Sequence, residues 1–120
     1  MPVVADVIVL HNPRCTKSRA ALAAADDAGA EVEVVRYLDE PLDSGALRVL
    51  LAKLEDPPSA LVRRADAKGL GVTLGDLDDT EHVIELLAAH PALMERPVLI
   101  RGDRAIIGRP TERAEDFVRS

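Results

Sequence analysis

Residues 6–19 read DVIVLHNPRCTKSR and lead from a short strand into a helix. Asp6–Leu10 is short and rich in β-branched residues, which predicts a buried strand, and the His-Asn-Pro that follows ends it. Thr16 to Ala28 is rich in alanine, and Gly29 comes next, which is typical of a helix and its C-terminal cap. The stretch therefore places Cys15, the one cysteine of the chain, at a strand-to-helix junction.

The rest of the chain predicts further strands and helices, which together give an α/β fold. Val32–Tyr37 predicts a second strand, and two further short strands at Val98–Ile100 and Ala105–Ile107 suit a hairpin with a tight glycine turn. Thr111 is expected to cap a terminal helix. The middle predicts helices from Asp43 or Ser44 to about Leu54, from Ser59 to about Ala67, and from 78–80 to about Ala89, the last with a capping box of Asp78 and Glu81.

This order predicts one sheet covered on both faces. A parallel β-α-β unit followed by β-β-α resembles the thioredoxin-like arrangement, with a helical insertion in the middle. We expect one domain over residues 1–120, because a chain of this length holds one hydrophobic core.

Composition narrows the classes of function. The net charge of −6 and the presence of only two aromatic residues argue against a nucleic-acid-binding protein. The N-terminus lacks a basic flank, and no stretch is long enough to span a membrane, so we expect a cytoplasmic protein with no membrane partner. One cysteine and three scattered histidines predict no metal site. The chain is expected to be a monomer, since no apolar run is obviously exposed.

The position of Cys15 predicts a reactive thiol. The first N–H groups of a helix have no intrahelical partner and favour a negative charge, which lowers the pKa of a thiol and can hold an anion. Pro13 shapes the loop, and Thr16, Ser18 and Arg19 can add hydrogen bonds or charge. Ser18 stands where a second cysteine of a C-x-x-C motif would be, so an external thiol must reduce an oxidised Cys15. Residue 21 is alanine, which excludes a cysteine phosphatase loop.

Four segments together resemble the glutaredoxin-coupled arsenate reductases, which have the thioredoxin-like fold. They are HNPRCTKSR (11–19), ALVRR (60–64), HPALMERPVLI (90–100) and RAIIGRPTE (104–112), in the family's order and at matching separations. The resemblance covers essentially the whole chain. Any one segment is a weak signal, whereas the combination is specific.

The resemblance implies a role for each matching residue. Cys15 matches the nucleophile, His11 matches a residue that supports its ionised form, and Ser18 is assigned to the substrate site. Arg63, Arg96 and Arg109 match the arginines around the arsenic oxyanion, although Arg64 could take the role of Arg63. A guanidinium suits this role because its planar donors fit a tetrahedral oxyanion. Pro97 is predicted to follow a cis peptide bond.

The implied function is reduction of arsenate to arsenite. It requires no bound cofactor, and glutathione or an equivalent thiol, with a glutaredoxin-type partner, supplies the electrons. Arg14, Thr16 and Lys17 are bulkier than the residues of the arsenate enzymes that the chain resembles. A glutathione-dependent thiol oxidoreductase acting on another substrate therefore stays open, as does an RNA-polymerase-binding regulatory relative.

Overall fold

A computed structural model describes residues 6–119, with four strands and five α-helices. The strands are β1 (Val7–Leu10), β2 (Val32–Val35), β3 (Val98–Arg101) and β4 (Arg104–Ile107). The α-helices are α1 (Thr16–Asp27), α2 (Ser44–Lys53), α3 (Arg64–Ala67), α4 (Thr80–Ala89) and α5 (Thr111–Arg119). Short 3₁₀ turns cover Pro58–Leu61 and Pro91–Leu93.

The four strands form one mixed sheet in the order β2-β1-β3-β4. β1 pairs with β2 in parallel, and Val9 lies opposite Val34. β3 runs antiparallel to both β1 and β4, with Leu99 paired to Val9 on one side and to Ile106 on the other. The predicted α/β fold, with its β-α-β and β-β-α halves, is thereby confirmed. The central strand β1 leads into the loop that carries Cys15.

Each face of the sheet carries its own hydrophobic cluster, because alternate strand residues point to opposite faces. Val7, Val9 and Leu99 lie on one face beneath α1 and α5, where they meet small alanines and Phe117. The alanines of α1 allow this helix to lie close to the sheet. Leu10 and Val98 belong to the other cluster, which the helical middle of the chain covers.

Three local predictions need correction. β2 ends at Val35 rather than at Tyr37. The helix expected over 59–67 is divided, because Val62 leaves the helical path to form an antiparallel bridge with Met94. The cap of α4 is Asp79 rather than Asp78, since the Asp79 carboxylate accepts hydrogen bonds from the amides of residues 81 and 82. Among residues 6–119 no helix has the length and apolar character that crossing a membrane requires.

Leu99→Ala tests the cluster beneath α1 and α5. Leu99 is fully buried at the centre of the sheet, so we expect the free energy of unfolding to fall by about 2–5 kcal/mol through lost transfer energy and a residual cavity. Urea unfolding followed by circular dichroism measures this change. Val49→Ala is the control: its side chain is 56% exposed on α2, and the change should stay within about 0.5 kcal/mol. Equal effects of both substitutions would contradict the assignment of Leu99 to the core.

Candidate active site

Cys15 occupies the N-cap position of α1, where the loop after β1 turns into the helix. Asn12 shapes this loop. Its carbonyl oxygen accepts a hydrogen bond from the Cys15 amide at 2.9 Å, and its side-chain oxygen accepts one from the Arg14 amide at 3.0 Å. Pro13 is exposed, and its carbonyl oxygen accepts a hydrogen bond from Arg19 at 2.8 Å. The loop thus presents the Cys15 sulfur at the start of the helix.

The Ser18 side chain stabilises this loop through a buried hydrogen bond. The side chain is fully buried, and its hydroxyl accepts a hydrogen bond from the Asn12 amide at 3.3 Å. This hydroxyl is thus engaged within the loop, and the assignment of Ser18 to the substrate site stays a prediction. The Ser18 amide donates to the Cys15 sulfur.

The Cys15 thiol has a pKa of about 7, below its ordinary value. Partial burial acts to raise the pKa, but hydrogen bonds from the Ser18 amide, the Arg96 side chain and the Lys17 amide, together with the Arg96 charge, outweigh it. These groups lower the pKa because each stabilises the thiolate. About half of Cys15 is therefore ionised near neutral pH, and a thiolate is the nucleophilic form of cysteine.

The arginines predicted around the oxyanion lie in one cluster. Nη2 of Arg109 is 3.5 Å from the Cys15 sulfur, and its Nε donates to the Arg96 carbonyl oxygen at 2.7 Å. Arg63 enters the cluster through Glu95, which accepts from its Nη1 at 2.6 Å. Arg64 is exposed and forms none of these contacts. Arg63, the N-cap residue of α3, is thus the one of this pair that joins the cluster, and its contact with an oxyanion stays a prediction.

Two carboxylates of this cluster escaped the sequence analysis. Glu95 Oε1 accepts from the Arg96 amide at 3.1 Å and lies 3.4 Å from Nε of Arg109, besides its bond to Arg63. Asp66 Oδ2 is 2.7 Å from Nε of Arg63 and 3.9 Å from Nη1 of Arg96. The spacing of Arg63 and Asp66 is a helical i,i+3 pair that could have been recognised. No local pattern marks Glu95, because its partners come from distant parts of the chain.

His11 does not bring a positive charge to the thiol. It is buried at the end of β1, and its pKa is lowered first by burial and then by the charges of Arg36 and Arg19. The imidazole is therefore neutral near pH 7. Within residues 6–119 no hydrogen bond joins His11 to Cys15, and its Nδ1 has no partner. The expected support of the ionised thiol by His11 stays a prediction.

The loop before β3 faces this site. The Arg96–Pro97 peptide bond is cis, as the sequence predicted, and the Arg109–Pro110 bond is also cis, which the sequence did not predict. The Gly108 amide donates to the Pro97 carbonyl oxygen at 2.9 Å and so joins the two arginine–proline segments. A nucleophilic sulfur, helix amides and guanidinium donors thus converge on a region suited to an oxyanion.

Comparison with known proteins agrees with this geometry. Residues 10–117 match the ArsC family. An arsenate reductase of Neisseria meningitidis serogroup A is 39% identical over 113 residues, which cover 92% of this chain and 96% of the relative. An uncharacterised Escherichia coli protein, YfgD, is 38% identical over 93% of this chain and 96% of its own length. The solved structure of an arsenate reductase from Vibrio cholerae superposes with a TM-score of 0.83 at 29% identity, over 95% of this chain and 98% of that one.

The pKa of Cys15 predicts the pH dependence of its alkylation. Because the folded-state pKa is lowered to about 7, the iodoacetamide rate should fall as pH drops through 7 and level off above it. Arg96→Ala should move the midpoint to higher pH, since the thiolate loses a hydrogen bond and a neighbouring positive charge.

Arg64→Ala is the matched control, because it removes an exposed arginine outside the cluster and should leave the midpoint unchanged. Stopped-flow or mass-spectrometric rates over a pH series measure all three proteins. A wild-type midpoint near that of free cysteine would contradict the electrostatic description of the site.

Proposed function

Because this chain belongs to the ArsC family, we propose that it reduces arsenate to arsenite through an arsenic adduct of Cys15. The main observation in support is that the Cys15 thiol has a pKa of about 7 and that the guanidiniums of Arg96 and Arg109 contact its sulfur. Relatives named arsenate reductases support an oxidoreductase role. No bound cofactor is required, because thiols supply the electrons.

The first step is attack of the Cys15 thiolate on arsenic. The guanidiniums of the cluster and the Ser18 and Lys17 amides hold the anionic oxygens near the sulfur. A sulfur–arsenic bond forms, one arsenic–oxygen bond breaks, and the departing oxygen takes up protons and leaves as water. Arsenic is still As(V) in this adduct, since no electron pair has moved to it.

The second step reduces the arsenic. The sulfur of glutathione, or of an equivalent thiol, attacks the Cys15 sulfur, and the sulfur–arsenic electron pair stays on arsenic as arsenite leaves. Cys15 is then part of a mixed disulfide. A thiol of a glutaredoxin-type partner attacks that disulfide and returns Cys15 as a thiolate. Overall, one doubly charged arsenate, two thiols and two protons give arsenous acid, one disulfide and water.

The need for an external partner follows from the single cysteine. The chain has no second thiol to attack an oxidised Cys15, and position 18, where such a thiol would stand, is a buried serine. Cys15 is only partly buried, so an incoming thiol has access to its sulfur. We therefore propose a low-molecular-weight thiol followed by a glutaredoxin-type protein as the reductants.

One observation favours a second candidate function. Glu95 and Asp66 each bind an arginine of the cluster and so offset part of the positive charge that a doubly charged oxyanion needs. A less charged substrate would fit such a site. The second candidate is accordingly a glutathione-dependent thiol oxidoreductase that acts on a disulfide through the same Cys15 thiolate.

Arsenite production distinguishes the two candidates. Purified protein with arsenate, glutathione and glutaredoxin should form arsenite, and Cys15→Ser should abolish turnover, because a hydroxyl at this position is not ionised. Arg96→Ala should lower kcat/KM by roughly 100-fold, as expected for loss of a donor that stabilises developing charge. Arsenite is quantified by chromatography coupled to mass spectrometry.

Arg64→Ala is the control and should retain wild-type turnover. Glutathione-dependent reduction of a disulfide without any arsenite from arsenate would refute the first candidate and support the second. If the protein turns over neither substrate but Cys15 is alkylated rapidly, both candidate functions are refuted and only the reactivity of the thiol is confirmed.

Glu95→Gln tests how the carboxylate affects oxyanion binding. The amide keeps an oxygen for the Arg63 and Arg96 donors but removes a negative charge that opposes the substrate. We expect the KM for arsenate to fall several-fold in steady-state assays at low ionic strength, and the difference to shrink when salt is added. A higher KM would show instead that the charge of Glu95 is required to hold the arginines in place.

A further inference from the structure

A cavity of about 390 Å³ opens beside the arginine cluster on the side of α3. This volume lies within the usual range for small-molecule sites and exceeds what one tetrahedral oxyanion fills. Its polar wall consists of Asn12, Tyr37, Asp66 and Arg96. Arg96 connects the cavity to the Cys15 sulfur, because it both lines the cavity and donates to that sulfur. A molecule bound here would therefore contact a side chain that also contacts the reacting atom.

Two buried donors in this wall lack a well-formed hydrogen bond within residues 6–119. The Tyr37 side chain is only 1% exposed, and its hydroxyl makes no hydrogen bond of ordinary geometry within residues 6–119. Nε of Arg96 is likewise buried and without a partner in that part of the chain. The Tyr37 hydroxyl faces Arg96 and Asn12, so it is at the cavity end of the ring. An unpaired buried donor is costly, and a pair of them in one wall calls for a ligand with acceptor oxygens.

Asp66 gives the same wall a negatively charged acceptor. Its Oδ2 binds Arg63, whereas its Oδ1 makes no hydrogen bond within residues 6–119. The side chain is 39% exposed, so the free oxygen is accessible. A pair of donors with a carboxylate nearby matches a group that carries both a carboxylate and an ammonium.

Apolar side chains complete the cavity. Leu38 and Leu70 are 45% and 49% exposed, and both line this cavity. They offer a surface for the aliphatic part of a bound molecule, and its burial would add affinity. Leu38 follows Tyr37 directly, while Leu70 follows α3, so the two contacts come from separate segments.

We propose that this cavity binds the reducing thiol through an α-amino-acid head group, as in a small thiol peptide. The carboxylate of the ligand accepts hydrogen bonds from the Tyr37 hydroxyl and Arg96 Nε, and its ammonium donates to Asp66. The aliphatic portion packs on Leu38 and Leu70, which leaves the sulfur of the ligand free to reach Cys15. This inference rests on the proposed function, since it places that reaction's thiol substrate.

Binding is measured without chemistry in the Cys15→Ser protein, with S-methylglutathione as the probe. This probe keeps the amino-acid head group but has no reactive thiol. Tyr37 is the one tyrosine in a chain without tryptophan, so its emission reports directly on this wall. We expect saturable binding by calorimetry, a matching change in tyrosine emission, and binding at least tenfold weaker for the probe's dimethyl ester.

Two substitutions in the Cys15→Ser background test the contacts. Tyr37→Phe keeps the buried ring but removes one donor to a charged group, so calorimetry should show roughly tenfold weaker binding. Ala92→Leu places a larger side chain in the exposed wall of the cavity and should weaken binding at least as much. Val49→Ala, on the exposed face of α2, should bind like the parent. Circular dichroism checks that each variant is folded.

Three results would overturn the inference. They are no saturable binding of S-methylglutathione, equal affinity of the parent and the folded Tyr37→Phe variant, and a tyrosine response to arsenate or sulfate alone. The last would mean that the two donors serve the oxyanion. Because the probe does not react, these results are independent of arsenite formation. If the probe binds through Tyr37 but the protein makes no arsenite, arsenate reduction is refuted and the thiol site is confirmed. If the protein makes arsenite but does not bind the probe, the thiol site is refuted and arsenate reduction is confirmed.

Discussion

The carboxylate of Glu95 is the contact on which the arrangement of the site depends. Three guanidiniums repel one another when they occupy one small volume, and a partly buried position strengthens that repulsion. Glu95 Oε1 lies 2.6 Å from Nη1 of Arg63 and 3.4 Å from Nε of Arg109, and it also accepts a hydrogen bond from the backbone amide of Arg96 at 3.1 Å. This one acceptor oxygen thus joins the side chains of Arg63 and Arg109 to the backbone that carries Arg96, while Asp66 lies between the guanidiniums of Arg63 and Arg96.

Backbone pairing in the middle of the chain places this carboxylate. The Glu95 amide donates to the Leu61 carbonyl oxygen, and the Arg63 amide donates to the Leu93 carbonyl oxygen, each at 2.7 Å. Val62 and Met94, between these residues, form the antiparallel bridge and bury their side chains in the core. The helical insertion therefore contributes to the site as well as to the core. The antiparallel bridge joins the segment that carries Arg63 to the loop that carries Arg96.

The charge balance of the site differs from that of the chain. A net charge of −6 gives the protein no general attraction for anions. The cluster creates a local attraction, and the arginines and helix amides direct it at the Cys15 sulfur. The same charges stabilise the thiolate and favour an incoming oxyanion, so the nucleophile and its substrate rely on one set of groups. The carboxylates of Glu95 and Asp66 weaken that attraction and so affect which substrates react with the thiolate.

Local patterns in the sequence determined the β-α-β order, the hairpin and the position of Cys15 at the start of α1. These features depend on strand alternation, caps and turns, which act over a few neighbouring residues. The three arginines came from the resemblance to a family, since nothing local separates Arg63 from Arg64. Only the tertiary structure brought Glu95 to Arg63 across 32 residues and Arg109 to Cys15 across 94. It also buried the Ser18 hydroxyl and, within residues 6–119, left the Tyr37 hydroxyl without a well-formed hydrogen bond, because burial is decided by elements that pack together from distant parts of the chain.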